Sequence, residues 1–140
     1  MTEDRPERRK HPRFEISFAM SFRFLRNDTR SGDSQSIEAI GTKTQGRVGN
    51  ISLEGLFIEA NPTEDQIREI MRANRDQEQL DIEIETRLMG ETVNLMGRVV
   101  WYDIILPKHE PYHFRAGVFL GQLGGQTQKL WGNLISSLEQ

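Results

Sequence analysis

The chain has 140 residues, 36% of them hydrophobic and 28% charged, with a formal net charge of -3 and no cysteine. That length suits one domain and is short for two. The negative balance argues against a protein that coats long nucleic acid, which needs a large positive excess to displace counterions. The lack of cysteine excludes disulfides, thiolate-held zinc and thiol catalysis, and fits a reducing, cytoplasmic setting. Met1 to Lys10 form a charged stretch with no apolar run, and no segment reaches the ~20 apolar residues of a membrane helix, so no membrane insertion is expected.

The first 13 residues read as a flexible basic arm. From Phe14 the apolar residues fall on every second position, Phe14, Ile16, Phe18, Met20, Phe22 and Phe24, the alternation of a long half-buried strand. Residues 28–45 bring Asp, Thr, Ser, Gly and Gln with few large apolar residues and read as a mobile loop or a hairpin tip. Val48, Ile51, Leu53, Leu56 and Ile58, interrupted by Gly49 and Gly55, predict two short strand pieces around a tight bend. Thr63 and Gln66 have the spacing of a capping box, and Ile67, Ile70 and Met71 follow at helical intervals, predicting a short peripheral helix over 63–75.

Strand alternation returns at Leu80, Ile82 and Ile84. A turn at Met89-Gly90-Glu91 leads into a second strand, Val93 to Tyr102, so the pair reads as an antiparallel hairpin. Phe114, Ala116, Val118 and Leu120 make the last strand. Leu130, Trp131, Leu134, Ile135 and Leu138 then lie on one helical stripe, so a C-terminal helix over 126–140 is expected to pack on the sheet. With no βαβ rhythm, the expected architecture is an all-β domain with flanking helices, its antiparallel sheet closing on itself over 14–125.

The dense basic cluster runs from Arg5 to Arg13 and includes Arg8, Arg9 and Lys10. Guanidinium forks suit phosphate oxygens and the O6/N7 edge of guanine, and their planes stack on bases. On charge alone the cluster reads rather as a solvated charged terminus, because Glu3, Asp4, Glu7 and Glu15 surround it. A second string, Asn50-Ile51-Ser52-Leu53-Glu54-Gly55, falls at the bend between two strands. Asn50 and Ser52, two apart, face one side of an extended strand, and Gly55 permits a turn or a close backbone approach. Taken alone, the string is equally an ordinary polar turn.

In this order and context the two strings resemble the PilZ family: Arg9-Lys10-His11-Pro12-Arg13, then Asn50 to Gly55, then Gly97-Arg98-Val99-Val100-Trp101 and Ala116-Gly117-Val118-Phe119-Leu120 as closing strands. The resemblance spans nearly the whole chain. It implies a six-stranded antiparallel barrel with a C-terminal helix that binds the bacterial second messenger cyclic di-GMP and performs no catalysis. By the same likeness Arg9 and Arg13 hold phosphate and guanine edges, and Asn50, Ser52 and the backbone at Gly55 contact the other side. Arg8, just before the Arg-x-x-x-Arg string, implies two stacked ligand molecules per domain. The resemblance also implies that the arm orders on binding and signals through an unidentified protein partner. Trp101 shares the parity of Val93, Leu95 and Val99, which makes it a core aromatic by pattern; at a strand end it is alternatively a base-stacking residue.

His109-Glu110-Pro111-Tyr112-His113 matches His-Glu-x-x-His in letters only, because Pro111 breaks the helix on which a zinc protease sets both histidines. Ser52 lacks a Gly-x-Ser-x-Gly frame, and there is no Gly-x-x-x-x-Gly-Lys string. Two other readings stand beside the receptor: a non-binding adaptor of the same fold, and a single-stranded nucleic-acid-binding barrel, which the acidic balance disfavours.

Overall fold

The computed structural model describes residues 12–28, 36–105, 112–121 and 123–139. Six strands follow in chain order: β1 (Phe14–Asp28), β2 (Ser36–Ser52), β3 (Gly55–Ala60), β4 (Asp81–Leu88), β5 (Glu91–Ile105) and β6 (His113–Leu120). Helix α1 (Glu64–Arg75) lies between β3 and β4, and α2 (Gly125–Leu138) follows β6. The strands form a closed barrel in the order β1-β2-β3-β6-β5-β4, each neighbouring pair antiparallel. Closure satisfies the backbone along the paired lengths without leaving an open sheet edge there.

The expected alternation builds the interior. Met20, Phe22 and Phe24 of β1, Ile82 and Ile84 of β4, and Phe114, Ala116, Val118 and Leu120 of β6 all point into one core. Phe22, Phe24 and Phe114 meet there ring to ring, with centroids 5.6 to 6.4 Å apart. The β4–β5 turn has two residues, Met89 at φ 52° and Gly90 at φ 84°, the left-handed pair that matches strand twist in a tight hairpin.

Two expectations need correction. Of the two readings of 28–45, the mobile loop gives way to a β1–β2 hairpin: β2 begins at Ser36, and Ile37 to Thr44 pair with Asn27 to Phe22 of β1. Pairing here lies in the backbone hydrogen bonds to β1, which the largely polar sequence of this half of β2 does not advertise. Helix α1 is also not peripheral. Thr63 caps it with the full reciprocal box, Gln66 N donating to Thr63 Oγ1 at 3.2 Å and Thr63 N to Gln66 Oε1 at 2.9 Å. Ile70 and Ala73 of α1, which packs on β1 and β2, then join the core, as do Leu130, Trp131 and Ile135 of α2, which packs on β4 and β5.

An ionic network ties α1 to β1. The Glu69 side chain, 3% exposed, accepts from Arg26 of β1 and from Arg72, whose Nη2 lies 2.8 Å from Oε2. Arg72 also reaches Asp76 at 3.2 Å and Glu78 at 2.8 Å. Burial pushes the Glu69 carboxyl upward, but hydrogen bonds from Arg72 and Arg26 outweigh it and hold the group below its ordinary value.

Candidate functional site

The register sets three rows across the outer wall of the barrel. In the first, Glu15 of β1 faces Asn50 of β2, Asn50 faces Phe57 of β3, Phe57 faces Gly117 of β6, and Gly117 faces Trp101 of β5. In the second, Ser52 faces Gly55, Gly55 faces Phe119, and Phe119 faces Arg98. The third is a charge ladder, Arg47, Glu59, Arg115 and Asp103, in which Arg115 Nη2 donates to Asp103 Oδ2 at 2.8 Å.

Because Ile51 is wholly buried, Asn50 and Ser52 on either side of it face outward together. The Asn50 amide makes no hydrogen bond to a described residue. The Ser52 hydroxyl makes one marginal bond, to Gly55 O at 3.5 Å. Beside them, Leu53 and Glu54 form a tight turn into β3. A Cβ at Gly55 would sit 2.6 Å from Val118 O, so glycine is required here for the close approach of β6.

Trp101 reverses the parity expected of it. An irregularity in β5 between Val99 and Trp101 leaves Val100 and Trp101 both outside, while Tyr102 and Ile104 resume packing against the core. The indole is 43% exposed and lies along Phe57, with centroids 5.8 Å apart and planes at 27°. It rests on Gly117, where a Cβ would come within 2.1 Å of Trp101 Nε1. One face of the indole is thus backed by protein. Two strand positions away, Arg98 sets its guanidinium carbon 5.6 Å from the Phe119 ring centroid and donates from Nη1 to Gln79 Oε1 at 3.0 Å. Among the described residues it has no carboxylate partner. A cleft of about 550 Å³ beside it is lined by Ile70, Ala73, Gln79, Arg98 and Trp101 among others.

The turn is held from within. Trp131 of α2, 1% exposed, donates its indole N–H to Ser52 O at 3.1 Å and Leu53 O at 3.2 Å, and Leu120 N donates to Glu54 O at 2.8 Å. These bonds occupy three consecutive turn carbonyls.

No family model matches the sequence, and no curated protein matches it. Solved structures do. The chain aligns over 92% of its length with 99% of the PilZ domain of CeSA from a cellulose-synthesizing bacterium, at 15% identity and a TM-score of 0.51. It aligns over 95% of its length with 92% of the PilZ domain of YcgR from Escherichia coli, a structure with c-di-GMP, at 13% identity and a TM-score of 0.55. The chain has the fold of a PilZ domain.

Within this barrel Asn50, Ser52 and Gly55 come together at one turn, and Trp101 shares a row with Asn50 three strands away. Arg13 is exposed and directly precedes Phe14, whose partner is Ile51, so the arm enters the wall beside Ser52. Arg8 and Arg9 lie outside the described residues. Sequence reasoning missed Phe57, although the inward parity of Leu56 and Ile58 assigns it to the outer face. It also missed that Arg98 lies on the same outer wall. The Trp131 N–H bridge had no sequence signal, because a helical stripe shows which side chains are buried and not what their polar atoms meet. Among the described residues no cluster of three or more His, Asp or Glu is placed to hold a metal ion, and no helix is long and apolar enough to cross a membrane.

Proposed function

We propose that this chain is a PilZ-family receptor for cyclic di-GMP, a binding domain without catalysis. The observation that carries the reading is the first register row with its neighbour: an uncommitted amide at Asn50 and a hydroxyl at Ser52 stand beside an aromatic surface at Phe57 and Trp101, where the Arg13 arm enters. A cyclic dinucleotide presents two purine faces, guanine edges and two phosphates. Those are the targets that an aromatic platform, an amide and guanidinium groups recognise. The YcgR PilZ structure was determined with c-di-GMP, and its likeness to this chain supports the same ligand class.

Arg8, Arg9 and Arg13 close over the ligand in this reading, with Arg8 serving a second, stacked molecule. Ordering the arm costs conformational entropy that charge-assisted contacts offset. The ordered arm then offers a changed surface to a protein partner. Isothermal titration of cyclic di-GMP into the wild-type chain, with Arg9→Ala and Arg13→Ala alongside, tests it. Saturable binding is expected, near two ligands per chain and weakened in both variants. Absence of binding by calorimetry and by a second method overturns the reading and favours the non-binding adaptor.

A further inference from the structure

We propose that Trp131 is the positioning residue of the ligand turn and the route by which an occupied turn acts on α2; the proposal rests on the ligand reading above. Trp131 is 1% exposed, and its one polar atom, Nε1, is shared between the carbonyls of Ser52 and Leu53 at 3.1 and 3.2 Å. Both acceptors belong to the string Asn50 to Gly55, and Ser52 is one of the residues whose side chain faces the ligand. The indole therefore grips the inner side of a turn whose outer side is the binding surface.

No other α2 side chain makes such a contact with another element among the described residues. The helix N-cap, Gly124, has no side-chain hydrogen bond, and Leu130 and Ile135 join the core through apolar packing alone. Packing of that kind tolerates small slides, whereas a bifurcated N–H bond loses strength steeply when its acceptors move or tilt. A ligand that shifts the Ser52 and Leu53 peptide planes must either stretch the Trp131 bonds or carry the indole, and α2 with it. Reciprocally, fixing the carbonyls from inside holds the Asn50 amide and the Ser52 hydroxyl in one orientation before the ligand arrives, which reduces the ordering cost of binding. The exposed face of α2, with Gln128, Lys129 and Asn133, is the surface on which that shift becomes visible.

The test uses the full chain. In wild type, the Trp131 indole N–H resonance, assigned with Trp131→Phe, is followed during titration with cyclic di-GMP, and amide hydrogen exchange is read along α2. Trp131→Phe keeps an aromatic ring in the core while removing the donor and part of the indole's volume. It is expected to fold, to bind about tenfold more weakly, the loss of one buried hydrogen bond's contribution, and to lose the ligand-dependent change of exchange in α2. The Trp131 indole resonance is expected to move on saturation of wild type. If wild type binds while that resonance stays fixed and α2 exchange is unaltered, the proposal is overturned and the receptor reading survives. If wild type shows no saturable binding, both fall together. Should Trp131→Phe fail to fold, Trp101→Phe assigns the resonance instead, since the chain has two tryptophans, and the wild-type resonance and exchange measurements decide alone.

Discussion

The α1 cap and the outer wall beside the β2–β3 turn use the same residue types in opposite ways. Around α1, Glu64 and Asp65 pair with Arg68, Glu69 with Arg26 and Arg72, and Asp76 with Arg72 and Arg75, and Glu78 also reaches Arg72. Every charged side chain from Glu64 to Glu78 has a partner inside the chain. On the wall, Arg98 donates to the Gln79 amide oxygen and has no carboxylate partner among the described residues, the Asn50 amide has no hydrogen bond to a described residue, and Trp101 leaves one face open. Arginine is abundant in both regions, so its presence says little. Whether its donors are already occupied by carboxylates distinguishes a group that holds the fold from one available to a ligand.

The largest effect expected from this contrast is on stability. Glu69→Ala takes the carboxylate from Arg26 and leaves Arg72 with Asp76 and Glu78 only, and truncating one member of a buried ionic network costs about 3 kcal/mol. Urea unfolding should show that loss while cyclic di-GMP affinity stays at the wild-type level. A cost below about 0.5 kcal/mol, as for exposed ion pairs, would break the comparison. The pH dependence follows with a fixed sign. The folded carboxyl sits below its ordinary value of 4.5, so its contribution is complete above that value and is lost as pH falls through the folded one. Wild type should therefore lose more stability than Glu69→Ala between pH 7 and acid.

Next in size is an effect on binding with the fold untouched. Arg13→Ala removes a charge-assisted contact in the receptor reading and should weaken cyclic di-GMP by about 1.5 to 3 kcal/mol. Its unfolding free energy should change by less than about 0.5 kcal/mol, since the residue is exposed and precedes β1. Equal affinity in Arg13→Ala and wild type would remove the arm from the site.

The fold was legible wherever alternation reached the core. β1, β4 and β6 follow the parity read from Phe14 to Phe24, Leu80 to Ile84 and Phe114 to Leu120, and the Thr63–Gln66 box marks the start of α1 to the residue. What failed was parity across irregularities. Trp101 counts as inward from Val99, and one extra residue in β5 turns it out, a shift that hydropathy cannot show because Val100 and Trp101 are both apolar. The polar first half of β2 was equally hidden, since its pairing with β1 lies in backbone hydrogen bonds. Of the candidate site, the Asn50–Gly55 string does lie at a bend between two strands, β2 and β3. Phe57, Arg98 and the Trp131 bridge required strand order and register, which place residues from β3, β5, β6 and α2 around it.

The smallest expected effect tests whether the open aromatic face belongs to the site. A Cβ added at Gly117 would lie 2.1 Å from Trp101 Nε1 and 2.7 Å from Cδ1, closer than non-bonded atoms tolerate. The backbone of β6 is fixed by pairing on both sides, so the indole is the part that yields. Its outer edge is already in solvent, and it can swing away at the cost of the Phe57 stack, about 1 kcal/mol. Gly117→Ala should thus lower stability only slightly, shift Trp fluorescence to the red and weaken cyclic di-GMP measurably. Gly121→Ala is the matched control, because a Cβ there meets nothing within 4 Å. If Gly117→Ala changes the fluorescence yet binds as wild type does, the Phe57–Trp101 surface is packing on the outside of the barrel, and the ligand must be held by the turn and the arm without it.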